Sequence, residues 1–127
     1  MEQLITDKAP KAIGPYSQAI ISGGFAFCSG QIAIDPLSNE FTPGTIVEET
    51  ERVMQNLKAV LEAANTSLYK AVKVTVYLSS IDDFAAMNEV YKEHFSHKPA
   101  RSTVEVSRLP KGAKIEIDVI AECSAVL

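Results

Sequence analysis

The chain has 127 residues, 46% of them hydrophobic and 22% charged, and its 12 basic against 16 acidic residues give a formal charge of −4. This length fits a single domain over residues 1–127 and excludes a multidomain architecture, while the acidic balance without a basic block disfavours nucleic acid as a partner. No apolar run approaches the roughly 20 residues that span a bilayer, and the first residues lack a signal or transit pattern, so we expect a cytoplasmic protein with no membrane partner.

Glycines and turn formers organise the first third of the chain. Gly23 and Gly24 separate two strand-like segments, residues 17–22 and 25–29. Because both glycines tolerate positive φ, they predict a β-hairpin. Residues 35–44 are rich in turn formers and predict the longest loop.

After the loop at residues 35–44, the apolar residues follow the spacing of a helix. Thr45 and Glu48 have the spacing of a capping box, and apolar residues then recur at helical intervals until Asn65. Residues 71–78 switch to period two and predict a strand with one strongly apolar face.

A second helix is predicted after Ser80, which with Asp83 is expected to cap it. The apolar stripe of this helix consists of Phe84, Met87, Tyr91 and Phe95. Asn88 lies on or beside the stripe. A buried amide needs partners, so Asn88 either bonds a nearby backbone group or lines a pocket at the sheet edge.

The last quarter of the chain predicts a closing hairpin that carries two candidate functional groups. Residues 101–107 and 115–119 alternate, and a turn rich in Pro and Gly separates them. Such a hairpin sets Arg101 and Glu116 on adjacent strands, where the guanidinium suits a small carboxylate and the glutamate suits a water molecule. The alternative, which spacing alone favours, is a cross-strand ion pair on a solvated face.

The predicted order is strand, strand, helix, strand, helix, strand, strand. This α+β pattern places two helices over one face of a sheet. Several strands carry apolar residues on both faces, as Ile117 and Ile120 illustrate. We therefore expect the other face to be a self-association surface.

The remaining motifs are weak one by one. Tyr16 follows Gly14 and Pro15, so its ring either caps a small-molecule site or packs against the fold. Gly30, after Ser29, ends a strand and allows close approach of the backbone. No nucleotide-binding, zinc-protease or hydrolase motif occurs.

Metal binding is not expected. His94 and His97 lie three residues apart near a helix end, which favours solvated side chains over metal ligands. Cys28 and Cys123 lack ligand spacing and are expected to be buried thiols.

Together these fragments resemble the RidA (YjgF) family of reactive intermediate deaminases. The resemblance lies in residues 12–19 (AIGPYSQA), 28–32 (CSGQI), 56–64 (NLKAVLEAA), 72–78 (VKVTVYL), 83–91 (DFAAMNEVY), 99–106 (PARSTVEV) and 114–118 (KIEID). It implies a chorismate-mutase-like α+β fold, with a mixed sheet and two helices on one face. It also implies a homotrimer whose sheets pack into a central barrel, with three sites in clefts between subunits.

The resemblance further implies roles for individual residues. Arg101 would bind the substrate carboxylate, and Glu116 would position a water molecule. The other implied substrate-binding residues are Tyr16, Ser29, Gly30, Asn88 and Thr103. Thr103 stands where many members of the family have a cysteine, so a reactive thiol is not expected to take part.

The implied reaction is the hydrolysis of 2-iminobutanoate and 2-iminopropanoate to 2-ketoacids and ammonia. These iminoacids would come from pyridoxal-phosphate-dependent dehydratases, and the deaminase would need no cofactor of its own. Two alternatives remain open. One is a noncatalytic regulatory trimer that retains Arg101 and binds a ketoacid. The other is an endoribonuclease, which the charge of −4 disfavours.

Overall fold

A computed structural model describes residues 1–124, in which six strands form one sheet and two α-helices cover one of its faces. The strands are β1 (Glu2–Leu4), β2 (Ala19–Ser22), β3 (Phe25–Gln31), β4 (Ala71–Leu78), β5 (Ala100–Glu105) and β6 (Ile115–Glu122). The helices are α1 (Ile46–Ala63) and α2 (Phe84–His94). The strand order is β1-β2-β3-β6-β4-β5, and only β4 and β5 pair in parallel. The predicted α+β class with a mixed sheet is confirmed.

The first hairpin and the first helix form as predicted. Gly23 and Gly24 both have positive φ and connect β2 to β3. At the start of α1, the Thr45 hydroxyl accepts from the Glu48 amide at 3.2 Å, and a Glu48 carboxylate oxygen accepts from the Thr45 amide at 2.9 Å. This reciprocal capping box satisfies two backbone donors that the helix itself leaves free. The sequence did not predict β1, a three-residue edge strand.

The predicted cap of the second helix is wrong. The Ser80 hydroxyl accepts from the Asp82 amide at 3.2 Å and so begins a short 3₁₀ turn, Ile81–Asp83. Helix α2 begins only after this turn, and Asp83 makes no capping hydrogen bond with its side chain. This 3₁₀ turn lies between Ser80 and the helix, and the spacing of Ser80 and Asp83 in the sequence does not predict it.

The core lies between the sheet and the helices. Alternate residues of β4 and β6 supply its sheet side: Val74, Val76, Leu78, Ile115, Ile117 and Val119 are at most 1% exposed. Val72 departs from the predicted alternation, because the register shifts between Ala71 and Lys73 and leaves Val72 37% exposed. Such a bulge turns one side chain away from the face that periodicity assigns to it.

The predicted closing hairpin is wrong. Strand β5 pairs in parallel with β4, and β6 pairs with the opposite edge of β4, so that β4 separates them. Helix α2 forms the crossover that a parallel pair requires, whereas a tight hairpin joins only antiparallel strands. Alternation identified both strands correctly but carries no information on which strand is the neighbour.

A buried carboxylate ties α1 to the start of β6. Glu49 is 1% exposed, and its two carboxylate oxygens accept from the Lys114 amide at 2.9 Å and the Gly44 amide at 3.3 Å. The Lys114 ammonium lies 3.6 Å from the same carboxylate. Because Lys114 directly precedes β6, these contacts fix where that strand begins.

We expect Glu49→Ala to lower the free energy of unfolding by about 2–4 kcal/mol, since two backbone donors lose their buried acceptor. Urea denaturation followed by circular dichroism measures this change. Glu62→Ala is the matched control, because it removes an exposed carboxylate from the same helix and should cost less than about 0.5 kcal/mol. Equal losses for the two variants would contradict the role given to Glu49.

Candidate active site

Three residues of α2 hold the Arg101 side chain. Arg101 Nη1 donates to Asn88 Oδ1 at 2.6 Å, and the guanidinium carbon lies 4.6 Å from the centroid of the Tyr91 ring and 5.5 Å from that of Phe84. A guanidinium over aromatic faces gains cation–π stabilisation. Asn88 therefore bonds a side chain, and the expectation that it bonds a nearby backbone group is not met.

Thr103 lies two residues further along β5, on the same face as Arg101. Its hydroxyl is buried and has no hydrogen-bond partner among residues 1–124. An open cleft of about 490 Å³ is lined by Asn88, Tyr91, Pro99 and Arg101, among others. We call Asn88, Tyr91, Arg101 and Thr103 the arginine cluster. Tyr91 was assigned only to the apolar stripe by the sequence, and its contact with Arg101 was missed.

Glu116 lies across the backbone of Gly30. A Cβ atom added to Gly30 would come within 2.8 Å of the Glu116 carboxylate carbon, so any larger residue would displace that side chain. The register between β3 and β6 shifts between Cys28 and Gln31, which places Gly30 in a bulge opposite β6. The predicted close approach at Gly30 is thus made by Glu116 itself.

The loop that carries Tyr16 is held by the buried side chain of Gln18. Gln18 accepts from the Thr6 amide at 2.8 Å and donates to the carbonyls of Thr6 at 3.0 Å and Pro10 at 2.8 Å. Nothing in the sequence signals this role beyond a glutamine at the start of an apolar strand. Tyr16 itself is 55% exposed at the rim of the cleft described next.

Ser29 holds the end of the same loop. Its hydroxyl donates to the Ser17 carbonyl at 2.5 Å, and its amide donates to the Gln18 carbonyl at 3.0 Å. Tyr16, Gly30 and Glu116 line a cleft of about 470 Å³ beside it. We call Tyr16, Ser29, Gly30 and Glu116 the glutamate cluster.

Burial perturbs the acid–base properties of Glu116. Desolvation of the half-buried side chain, followed by the negative charge of Asp118, raises the pKa of Glu116 above its ordinary value. A carboxyl group with a raised pKa accepts and returns a proton more readily near neutral pH. Nothing in the sequence distinguishes Asp118 beyond its place in the alternating segment 115–119.

The two clusters lie on opposite faces of the sheet. Arg101 is paired with Val74, whose side chain is buried under the helices, whereas Glu116 is paired with Tyr77 on the open face. Residues directly paired across strands share a face. The expected ion pair between Arg101 and Glu116 is therefore wrong, because the whole sheet lies between their side chains.

The histidines and cysteines have other contacts. His94 Nε2 lies 3.1 Å from a Glu51 carboxylate oxygen, and His97 Nε2 lies 2.8 Å from the Ala71 carbonyl. Among residues 1–124, no three His, Cys, Asp or Glu side chains are grouped in a way that suits a metal ion. No described helix is long and apolar enough to cross a membrane.

Both cysteines are free and buried, as predicted. Burial, with a smaller contribution from Asp118, raises the pKa of the Cys28 thiol to about 12. Since the thiolate is the nucleophilic form, this thiol is unreactive at neutral pH.

Comparison with known proteins agrees with these features. A family model described as endoribonuclease L-PSP matches residues 6–123. The chain belongs to this family, which is the RidA family that its motifs resemble. A RutC family protein of Pyrococcus abyssi is 59% identical over 121 residues, covering 94% of this chain and 95% of that protein.

Two further members of the RidA family have informative names. A goat protein (Capra hircus) named 2-iminobutanoate/2-iminopropanoate deaminase is 46% identical over 117 residues, covering 91% of this chain and 85% of that protein. The crystal structure of E. coli TdcF with bound serine superposes with a TM-score of 0.91 at 40% identity, covering 98% of this chain and 100% of that one. The RidA fold of the chain is thus established.

We expect Gly30→Ala to be costly only while Glu116 is present, because the added methyl group meets that side chain. The single variant should lose about 1 kcal/mol of unfolding free energy, at the low end of the cost of overpacking, because the Glu116 carboxylate that it displaces is the flexible end of a half-buried side chain. In a Glu116→Ala background the same substitution should cost less than about 0.5 kcal/mol. Urea denaturation of the four proteins of this double-mutant cycle measures the coupling, and additive losses would contradict the contact.

Proposed function

We propose that this protein is a 2-iminoacid deaminase that acts as a homotrimer, with each site formed by the arginine cluster of one copy and the glutamate cluster of the next. The observation that carries the proposal is that Arg101 and Glu116 lie on opposite faces of the sheet within one chain. A single chain cannot bring both groups to one small substrate. Two copies can.

The open face of the sheet supports the assembly. Large apolar side chains remain exposed on it, with Phe25 37%, Phe27 43% and Val104 43% accessible. Glu116 lies on this same face, so packing the face against other copies brings the glutamate cluster to a subunit boundary. Three 13.8-kDa chains packed as a central barrel would give a particle of about 41 kDa.

In the proposed complex, Arg101 binds the carboxylate of the substrate. Asn88 occupies one of its guanidinium nitrogens, which leaves the rest of the planar fork for two parallel hydrogen bonds. The rings of Tyr91 and Phe84 pack against the guanidinium and limit its movement. A fixed carboxylate holds the imine carbon at one place relative to the water, and such positioning is itself a source of rate enhancement.

Glu116 then handles the protons. Water attacks the protonated imine carbon, the C=N electron pair moves to nitrogen, and the Glu116 carboxylate accepts the proton that the water releases. Glu116 returns this proton to the amino group of the carbinolamine. Collapse to the ketone breaks the C–N bond, and Glu116 takes the hydroxyl proton as ammonia leaves. Glu116 then passes this proton to the ammonia, which returns Glu116 to its ionised form. The products are a 2-ketoacid and an ammonium ion, so no redox partner is needed.

The preferred substrates in this proposal are 2-iminobutanoate and 2-iminopropanoate. The name of the goat relative supports this choice, and the serine bound to E. coli TdcF supports a site sized for a small amino acid. Dehydratases that release such iminoacids would supply them in the cytoplasm. Because these imines also hydrolyse unaided, a modest rate enhancement is sufficient.

Endoribonuclease activity is the second candidate, since the matching family model carries that description. The formal charge of −4 argues against it, because binding a phosphate backbone relies on clustered lysine and arginine. The noncatalytic ketoacid-binding trimer is distinguished by the second experiment below.

The first test mixes two inactive variants. Arg101→Ala and Glu116→Gln proteins are unfolded together in equal amounts and refolded, and deamination is measured as loss of semicarbazide-trapped imine from threonine dehydratase acting on threonine. If each site combines two chains, about one quarter of the sites in the mixture contain both native residues. We expect activity to recover to about that fraction of refolded wild type.

Each variant refolded alone is the control and should stay inactive. Recovery no greater than the sum of the two separate variants, with refolded wild type active, would show that both groups act within one chain. A monomer by light scattering at micromolar concentration would remove the shared site as well.

The second test separates an enzyme from a ketoacid sensor. Glu116→Gln keeps the shape of the side chain but removes its charge and its capacity to accept a proton. We expect 2-ketobutyrate binding, measured by calorimetry, to stay within about threefold of wild type, because Arg101 is unchanged. Deaminase activity should fall at least about tenfold. Loss of binding together with activity would make Glu116 structural, and unchanged activity would place the proton acceptor elsewhere.

A further inference from the structure

Glu116 has a second carboxylate beside it whose position is fixed by a tyrosine. Asp118 follows two residues later in β6 and shares the open face with Glu116, since successive side chains of a strand alternate. Tyr77 lies on β4 directly opposite Glu116, and its hydroxyl reaches diagonally to donate to Asp118 Oδ2 at 3.1 Å. Tyr77 is therefore the neighbour of both acids: it is paired with Glu116 across the strands, and its hydroxyl bonds Asp118.

The hydrogen bond distinguishes these two acids. A hydroxyl that donates to a carboxylate stabilises its ionised form, and Tyr77 donates to Asp118. Burial, the hydrogen bond to Asp118 and the negative charges of both acids raise the pKa of Tyr77, so its hydroxyl stays protonated at neutral pH and remains a donor. The negative charge of Asp118 lies about 7 Å along the strand from Glu116, a distance over which screening by salt is incomplete.

We propose that Asp118 and Tyr77 are positioning residues that make Glu116 the carboxylate that takes and returns the proton in the site. The inference deepens the proposed deaminase function and rests on it. The hydroxyl of Tyr77 fixes the position of the Asp118 carboxylate, and the negative charge of that carboxylate favours the protonated form of Glu116. Glu116 then exchanges its proton with water and with the leaving ammonia.

Other ionisable groups near Glu116 within one chain do not cancel this effect, and Arg101 of the neighbouring copy, which the proposed assembly adds, is present in wild type and in every variant compared. Tyr16, Lys11 and Lys111 line the same cleft. Neither lysine forms an ion pair with Glu116 among residues 1–124, in which only Lys92, His94 and Lys114 pair with carboxylates. Gly30, on the third side, carries no charge. Asp118 is thus the nearest charged neighbour on the strands that pack around Glu116, and burial and Asp118 both act in the direction of a raised pKa.

The test follows the protons directly. Carboxyl ¹³C NMR titrations of wild type, Asp118→Asn and Glu122→Gln give the midpoint for Glu116, and the acid limb of kcat/KM against pH is measured for the same proteins. Removing a negative neighbour lowers the pKa of the remaining carboxyl group. In Asp118→Asn we therefore expect the Glu116 midpoint and the acid limb to move together to lower pH, by about 0.5–1.5 pH units.

Glu122→Gln is the matched control, because Glu122 is an exposed carboxylate on the same face of β6 and lies six residues from Glu116. In Glu122→Gln, the titration midpoint of Glu116 and the acid limb of the kcat/KM profile should both match those of wild type. An unchanged Glu116 midpoint in Asp118→Asn would overturn the inference. So would a wild-type titration in which Asp118 gains its proton at higher pH than Glu116, a result that requires no variant to fold.

Tyr77→Phe tests the other half of the inference. Without the donated hydrogen bond the Asp118 carboxylate loses its fixed place beside Glu116, so we expect the Glu116 titration midpoint to move to lower pH, in the same direction as in Asp118→Asn. An unchanged Glu116 midpoint would show that Tyr77 does not position Asp118. The titrations need no substrate, so failure of the proposed function has its own signature. Suppose that wild type hydrolyses no imine but the titration midpoint of Glu116 still shifts in Asp118→Asn. The proposed deaminase activity is then refuted, and the effect of Asp118 on the pKa of Glu116 stands.

Discussion

The pairing of β4 with a different strand on each edge is the constraint on which the candidate site depends. Helix α2 carries the chain back so that β5 runs parallel to β4, and β6 fills the other edge in the antiparallel direction. With β4 between them, Arg101 and Glu116 are separated both laterally and by the thickness of the sheet. A crossover connection thus decides that the two chemical groups belong to different faces of the molecule.

Each group is held by its own set of neighbours. On the helix side, the guanidinium of Arg101 contacts three residues on successive turns of α2. Asn88 accepts a hydrogen bond from it, and the rings of Phe84 and Tyr91 pack against it. On the open side, Glu116 rests on a backbone without a side chain at Gly30, in a bulge of β3. Rigid strands and a helix support both groups, and positions on such elements are held more accurately than positions on loops. The Tyr16 loop is the exception, and the buried Gln18 side chain compensates by bonding four of its backbone groups.

The electrostatic environments of the two clusters differ in the way that their proposed roles require. Arg101 has a neutral amide and aromatic rings around it and no acidic partner among the described residues, so its charge is not neutralised within the chain. Glu116 is half-buried beside another acid, which favours its protonated form. One cluster is suited to holding an anion and the other to moving a proton. Neither contains a reactive thiol, since Thr103 lies in the arginine cluster and the Cys28 thiol is buried and protonated.

Local patterns in the sequence were sufficient to determine the helices, five of the six strands, the first hairpin and the capping box at Thr45, because periodicity and turn chemistry are local properties. The family motifs also identified candidate residues on both clusters. Strand partners, by contrast, depend on contacts between distant segments, so the sequence placed β5 beside β6 and left open an ion pair between Arg101 and Glu116 that the structure excludes. The tertiary structure alone decided that Arg101 faces α2, that Tyr77 reaches Asp118 and that Gln18 orders the Tyr16 loop. Each of these contacts joins residues at least eight positions apart, a separation at which alternation fixes only the face of a strand and never its neighbour.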